Sequence, residues 1–167
     1  MIFNDIDIND TNGAGSVILG GSFTSGYSYF VGNITLQHSS IAGVDNVAEV
    51  TVTSSSNDDA GAGEKGVIFT GVISESDFGD TLGIKKVGPG TVTFTNTNTY
   101  TGKTTVAEGT LALSGAGSIA STSWIEVNNG ATFDFDATDA DLVFDQTFSG
   151  SGTVVTDPAM SLIIGSD

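Results

Sequence analysis

Four aspartates near the C-terminal end of the chain are the residues best suited to bind a ligand: Asp134, Asp136, Asp139 and Asp141. Carboxylate oxygens at this density are the hard ligands that Ca²⁺ prefers. The glycine-rich nonapeptide and the loop with a closing glutamate, which mark known calcium sites, are both absent from the sequence. We therefore predict a weak Ca²⁺ site here, with a solvated acidic turn as the simpler interpretation, and no other cofactor.

Groups that could act in catalysis are scarce in this sequence. His38 is the single histidine, cysteine is absent, and all four cationic residues are lysines. A general base needs an orienting partner and a nucleophile within reach, and no residue close to His38 in the sequence marks either one. For Lys86, a structural role is the simpler interpretation. We predict no catalytic residue and no enzymatic activity.

The strongly acidic charge restricts the partners of the chain. Four lysines stand against 20 acidic residues, which gives a formal net charge of −16 at pH 7. Nucleic acids and anionic membrane surfaces are bound through clusters of Lys or Arg, so both are excluded as partners. No run of about 20 apolar residues is present, so we predict no direct insertion into a membrane.

Short β-strands must position these side chains. Gly contributes 23 residues and charged residues only 14%, while Thr, Val, Ile and Phe are abundant, a composition that favours strands over helices. Runs of alternating apolar and polar residues recur at steps of roughly 16 to 23 residues, as expected for a solenoid. Asn-Gly pairs, which mark hairpins, occur only at 12–13 and 129–130. We therefore predict an all-β chain folded as a parallel β-helix of about eight coils, with equivalent strands stacked about 4.8 Å apart.

The best-preserved coil lies between Gly88 and Gly130. There the phrase Gly-Thr-(Val/Leu)-x-(Phe/Leu/Val) occurs at 90–94 and 109–113, and it returns less perfectly at 152–155. Alternation within these strands predicts which side chains point inward and stack in columns. The inward set is Val92, Phe94, Leu111, Leu113, Phe133 and Phe135, and the outward set includes Thr91, Thr93, Ala112 and Asp134.

An ordered series of residues runs through this coil, with the approximate pattern Leu-x-Lys-x-Gly-x-Gly-Thr-Leu-x-Leu, then Asn-x-Tyr-x-Gly-x-Thr-x-Val, then Gly-x-Leu. The matching positions are, in chain order, Ile84, Lys86, Gly88, Gly90, Thr91, Val92, Phe94, Asn98, Tyr100, Gly102, Thr104, Val106, Gly109, Thr110, Leu111 and Leu113. With this match the segment resembles the autotransporter-associated β-strand repeat of bacterial passenger domains. Residues 1–65 do not match the pattern clearly.

The resemblance implies a right-handed parallel β-helix at the surface of, or secreted from, a bacterium with an outer membrane. Passenger rods mostly serve as stalks, spacers and adhesive surfaces. The most distinctive motif residues are then explained as turn-forming and packing residues rather than as an active site: Gly88, Gly90, Asn98, Tyr100, Gly102 and Gly109.

We predict one β-solenoid domain over residues 1–167, with divergent N-terminal coils at 1–65 and passenger-repeat-like coils at 66–167. A β-helix exposes a strand edge at each end, and no capping helix is evident in the sequence. We therefore expect end-to-end self-association into a filament, or continuation within a longer rod.

The predicted function is that of a non-catalytic structural protein, extracellular or on the bacterial outer surface. Two alternatives stay open. One is an adhesive module that binds a glycan, a host or cell surface, or Ca²⁺ through outward Asp, Asn and Thr side chains. The other, less favoured, is a polysaccharide lyase, because enzymes of this kind share the fold class but need a basic residue beside acids that bind Ca²⁺.

Overall fold

The computed structural model describes most of the chain, with several gaps. The described residues are 1–2, 4–10, 17–21, 26–38, 49–54, 65–76, 81–136, 143–144, 146–156 and 163–164. Within these ranges the regular elements are β-strands. No helix long and apolar enough to cross a membrane occurs in this part of the chain.

The strands are short, as the alternation of apolar and polar residues predicts. Their bounds are β1 (Ile6–Asp10), β2 (Ile18–Gly21), β3 (Gly26–Phe30), β4 (Ile34–His38), β5 (Glu49–Ser54), β6 (Lys65–Phe69), β7 (Ile73–Glu75), β8 (Gly83–Val87), β9 (Thr91–Phe94), β10 (Thr104–Val106), β11 (Thr110–Ser114), β12 (Trp124–Val127), β13 (Thr132–Asp136), β14 (Val143–Phe144), β15 (Thr147–Gly150), β16 (Thr153–Thr156) and β17 (Ile163–Ile164).

The strands stack into sheets that are parallel throughout. We call the six-stranded sheet β2-β5-β8-β10-β12-β15 the first wall, the six-stranded sheet β3-β6-β9-β11-β13-β16 the second wall, and the sheet β1-β4-β7 the third wall. A separate parallel pair joins β14 and β17. Each turn of the chain visits the first wall and then the second before it returns one level further along. The chain is therefore an all-β parallel β-helix, as predicted.

The coils differ in length between the two halves of the chain. Ile18 pairs with Thr51, and Val50 pairs with Ile84, so the first two coils are 33 and 34 residues long. Ile84 pairs with Thr104, 20 residues later, and the following coils are of similar length. The described residues form six coils, preceded by β1. This number is smaller than about eight because the N-terminal coils are longer than the period read from the C-terminal repeats.

The core consists of columns of inward side chains, one from each coil. In the second wall, Val67, Val92, Leu111 and Phe133 occupy successive levels of one column, and none of them is more than 1% exposed. The neighbouring column contains Phe69, Phe94, Leu113 and Phe135 at the same burial. All six side chains predicted to point inward do so. Full burial of each such side chain is worth about 1.5–3 kcal/mol.

Candidate functional site

The predicted calcium ligands are only partly described by the structure. Asp134 lies on β13, half-buried, in register with Ala112 on one side and Val155 on the other. Asp136 is the last residue of β13, and Asp139 and Asp141 lie outside the described residues. Among the described residues, no three acidic or histidine side chains are grouped so as to hold a metal ion. The Ca²⁺ site stays a prediction.

Lys86 is the most deeply buried charged residue that the structure describes, with 0% of its surface exposed. Its Nζ donates to the carbonyl oxygens of Val87 at 3.1 Å, Gly88 at 2.7 Å and Glu108 at 2.9 Å. An ammonium group has three donors, so all of them are used. Because Glu108 belongs to the next coil, Lys86 ties two consecutive turns together, and we call this arrangement the lysine clamp.

Burial and a nearby carboxylate shift the pKa of Lys86 in opposite directions. Desolvation lowers the pKa of Lys86 to about 8, and the negative charge of Glu108 partly opposes this shift. The Glu108 carboxylate also accepts a hydrogen bond from the backbone N–H of Gly88 at 3.0 Å. Lys86 therefore acts as an internal cross-link between coils, with no donor left for a substrate.

The glycines of the motif let consecutive turns lie against each other. Gly88 and Gly109 adopt left-handed backbone conformations, with φ of 79° and 62°. A Cβ atom on Gly109 would also lie 2.4 Å from the carbonyl oxygen of Gly88 and 2.6 Å from that of Gly90. The Gly90 N–H donates to Ser54 O of the preceding coil at 2.9 Å. These three glycines lie where consecutive turns pack against each other, and the structural role of the motif glycines stays a prediction.

Asn98 connects three coils through its side-chain amide. It is only 2% exposed, and its Oδ1 accepts a hydrogen bond from the backbone N–H of Ile73 at 2.9 Å. Its Nδ2 donates to Asn96 O at 3.0 Å and to Ser118 O at 3.1 Å. Ile73 belongs to the coil before Asn98, and Ser118 to the coil after it. In these short coils the third wall is reduced to a bridge between Thr97 and Ser118, so the amide supplies the missing cross-links.

A chain of buried hydroxyl groups begins at Tyr100, which is 1% exposed. The Tyr100 hydroxyl lies 2.8 Å from Thr104 Oγ1, which lies 3.0 Å from Thr122 Oγ1. The Thr122 hydroxyl in turn donates to the carbonyl oxygen of Gly102. Since a carbonyl can only accept, the donors must run from Tyr100 through Thr104 and Thr122 to Gly102. Burial raises the pKa of Tyr100 well above its ordinary value, and the Thr104 hydrogen bond opposes this more weakly.

Removal of the first donor in this hydroxyl chain should measurably weaken the fold. We expect Tyr100→Phe to lower the free energy of unfolding by about 1–2 kcal/mol, because Thr104 loses its buried donor while the ring volume is kept. In a double variant with Tyr100→Phe, the added change Thr104→Val should lower the free energy of unfolding by less than Thr104→Val does alone, since both changes break one network. Tyr29→Phe, on a half-buried ring in β3, is the matched control and should change little. Urea unfolding followed by circular dichroism measures these differences, and additive costs would contradict the network.

A comparison with protein families finds a match in the coil that contains these contacts. Residues 84–113 match the passenger-associated-transport-repeat. This passenger repeat begins in β8 and ends in β11, and it contains Lys86 and all six motif residues predicted to be structural. The resemblance predicted from the sequence is confirmed. No curated protein and no solved structure matches the chain.

Two cross-linking residues lie outside the passenger repeat and were not predicted. Glu75, at the end of β7, accepts hydrogen bonds from the backbone N–H of Leu82 at 2.7 Å and of Thr101 at 2.8 Å. Thr122 completes the hydroxyl chain described above. Neither residue occupies a position of the repeat pattern. Their roles depend on which coil lies next to them, which no local signal in the sequence indicates.

Proposed function

We propose that this β-helix is a non-catalytic structural element of a bacterial extracellular or cell-surface protein, where it forms part of a rod or stalk. The proposal rests on one observation, that the polar side chains of the motif are buried and bonded within the protein. Lys86, Asn98 and Tyr100 are each at most 2% exposed. The side chains of Lys86 and Asn98 bond to a neighbouring coil, and the Tyr100 hydroxyl bonds to the buried Thr104. A group that acts on a substrate must contact it, whereas these groups are buried and hydrogen-bonded inside the protein. The passenger repeat supports a secreted or surface-exposed protein of this class.

The edges of the walls support an extended assembly. Strands β2 and β3 border the two long walls at one end, and β15 and β16 border them at the other. Large apolar side chains are exposed at both edges, among them Ile18 in β2, Tyr27 in β3, and Val154 and Val155 in β16. Further strands, from a second copy or from more coils of a longer protein, would pair with these edges. The net charge of −16 opposes contact along the sides, so growth along the axis is favoured.

Sedimentation and electron microscopy of the purified chain test this assembly. We expect the mass to rise with protein concentration and with salt, and we expect micrographs to show rods or filaments built from units about 30 Å long, given six coils about 4.8 Å apart. Val155→Lys places a charge on the edge strand β16 and should prevent the association. Ser121→Lys makes the same charge change at an exposed position away from the edges and is the control. A stable monomer across salt and Ca²⁺ concentrations would reject self-association and leave the longer rod.

The adhesive alternative is favoured by one specific observation, the exposed Trp124 on the first wall. An adhesive surface and a structural rod are compatible, because the former uses the outside of the coils and the latter their interior. Catalysis is not part of the proposal, and we expect no turnover of acidic polysaccharides. Nucleic acids and membranes are not proposed as partners because the acidic charge repels both.

A further inference from the structure

The outer face of the first wall carries a cluster of charged side chains around an exposed aromatic ring. Trp124, the first residue of β12, is 46% exposed. Lys103 Nζ lies 5.8 Å from the centroid of the Trp124 ring and 2.7 Å from the Glu126 carboxylate. Beside this pair, Lys85 Nζ lies 3.8 Å from the carboxylate of Glu49. Two of the four lysines of the chain are therefore on this one face, each with an acidic partner.

The register of the coils explains why these side chains meet. Thr105 of β10 pairs with Lys85 of β8 on one side and with Glu126 of β12 on the other, so the three follow one another across the wall. Trp124 pairs with Thr147 of β15, a short and exposed residue. The Lys103 ammonium covers one face of the indole, while Thr147 is too short to cover the other. We call the group Lys85, Lys103, Thr105, Trp124, Glu126 and Thr147 the Trp124 platform.

The platform also contains a polar atom whose hydrogen-bonding capacity is not used by the protein. Thr105 is 6% exposed, and its hydroxyl lies beneath the platform without a hydrogen-bond partner among the described residues. A buried hydroxyl without a hydrogen-bond partner destabilises the protein, and a hydrogen bond to a ligand hydroxyl would remove this cost. Since Lys85 and Glu126 flank it, a small movement of these long side chains would bring Thr105 into contact with a bound molecule.

We propose that the Trp124 platform is a binding site for a neutral glycan. A hexopyranose has one face of C–H groups, which packs on an aromatic ring, and a rim of hydroxyls that both donate and accept hydrogen bonds. The platform matches this chemistry with one indole face and an adjacent rim of ammonium, carboxylate and hydroxyl groups. The Lys103–Glu126 pair offers a donor and an acceptor 2.7 Å apart, and neighbouring sugar hydroxyls can bond to both.

The charges of the platform and of the whole chain favour a neutral ligand. Each platform lysine faces a glutamate, so the site has no excess positive charge to attract an anion. The chain as a whole has a net charge of −16, which repels acidic polysaccharides. A protein partner fits poorly, because stable protein interfaces bury about 800 Å² on each side around an apolar centre, whereas this platform has one apolar side chain among charged groups. The site lies on the outer face of the first wall and reaches the edge strand β15 only through Thr147.

The single tryptophan of the chain makes the test direct, because tryptophan emission, excited selectively over the three tyrosines, reports only on Trp124. The full chain is titrated with cellohexaose, chitohexaose and mannohexaose, and with polygalacturonate as the acidic comparison. We expect a saturable change in fluorescence with at least one neutral hexaose, at a dissociation constant of about 0.1–1 mM, and little effect of salt on it. Polygalacturonate should produce no saturable change.

Variants separate the platform from other surfaces. Lys103→Met and Glu126→Gln should each weaken binding by tenfold or more, with circular dichroism unchanged because both side chains lie on the surface. Trp124→Ala, followed by affinity gel electrophoresis with the bound glycan, should abolish retardation. Tyr27→Ala removes an exposed aromatic ring from the second wall and should leave binding unchanged. The proposal is overturned if no neutral hexaose gives a saturable change, if Trp124→Ala is retarded as strongly as the unmodified chain, or if only polygalacturonate binds.

Discussion

Replacing Gly102 by alanine is expected to cost at least about 4 kcal/mol of folding free energy, which is an exceptional value for one methyl group. A Cβ atom at this position would lie 2.3 Å from both the carbonyl carbon and the carbonyl oxygen of Leu82, and 2.5 Å from the nitrogen of Gly83. These are backbone atoms of the preceding coil, so no side-chain rotation can relieve the overlap. The Gly102 N–H also donates to Leu82 O at 2.9 Å, which holds the two backbones together.

Gly130→Ala is the matched control for this substitution. Gly130 has a positive φ of 82°, but a Cβ atom there would meet no atom within 4 Å. Its alanine variant therefore has the backbone penalty of a left-handed conformation alone, about 1–2 kcal/mol. Urea unfolding of both variants measures the difference, which isolates the cost of separating two coils. Equal costs for the two variants would mean that the coils can move apart freely at Gly102.

The motif glycines illustrate what could and what could not be predicted from the sequence. Their position between short strands is sufficient to predict turns and tight packing. The reasons differ, however: Gly109 needs both a left-handed conformation and space, whereas Gly102 needs space alone. The second reason depends on the backbone of the previous coil, and a glycine looks the same in a sequence whichever reason applies.

The register of the second wall was predictable from the repeated phrase. That phrase aligns Thr91 with Thr110, and the structure pairs these two residues directly. Thr132 and Thr153 continue the same column in the next two coils. Repetition indicates register here because each phrase begins a strand of the same wall and the coils are similar in length.

The Trp124 platform could not be predicted in this way. Lys103 immediately precedes β10 and Glu126 lies on the adjacent strand β12. Neighbouring strands are about 4.8 Å apart, but these two residues are far apart in the sequence. Local patterning shows that Trp124 starts a strand, but not which residues of the coils before and after it lie alongside. The same limit applies to the number of coils, because the spacing of 33 and 34 residues between paired positions in the N-terminal coils is not evident from the shorter C-terminal repeats.

The second large effect is expected at the lysine clamp. Lys86→Ala should lower the free energy of unfolding at pH 7 by about 3–5 kcal/mol, because three buried carbonyl oxygens lose their donor and the stem of the side chain leaves a cavity. Lys86→Met keeps the volume and should cost less, since only the hydrogen bonds are lost and the burial of a charge is avoided. Thermal and urea unfolding of the two variants separate these contributions. If both variants cost the same, the cavity contributes nothing and the hydrogen bonds account for the whole effect.

The pH dependence of stability tests the clamp independently. The pKa of Lys86 is about 8 in the folded chain and about 10.4 in the unfolded chain, so between these values the unfolded chain binds more protons. Stability attributable to Lys86 should therefore rise with pH in this window, by up to about 2 kcal/mol between pH 8 and 10. Above pH 10 stability should instead fall with rising pH because of Tyr100. Burial raises the pKa of Tyr100, so the unfolded chain loses a proton there that the folded chain keeps.

The two groups can be separated by comparing variants across this range. Lys86→Met should remove the rise between pH 8 and 10, and Tyr100→Phe should remove the decline above pH 10. The measurement is the free energy of unfolding in urea at half-unit pH steps, with the unmodified chain beside each variant. If the unmodified chain and Lys86→Met run parallel between pH 8 and 10, the ammonium keeps its ordinary pKa. The three carbonyl oxygens would then compensate fully for its desolvation, and the contribution of Lys86 to stability would not change with pH in this window.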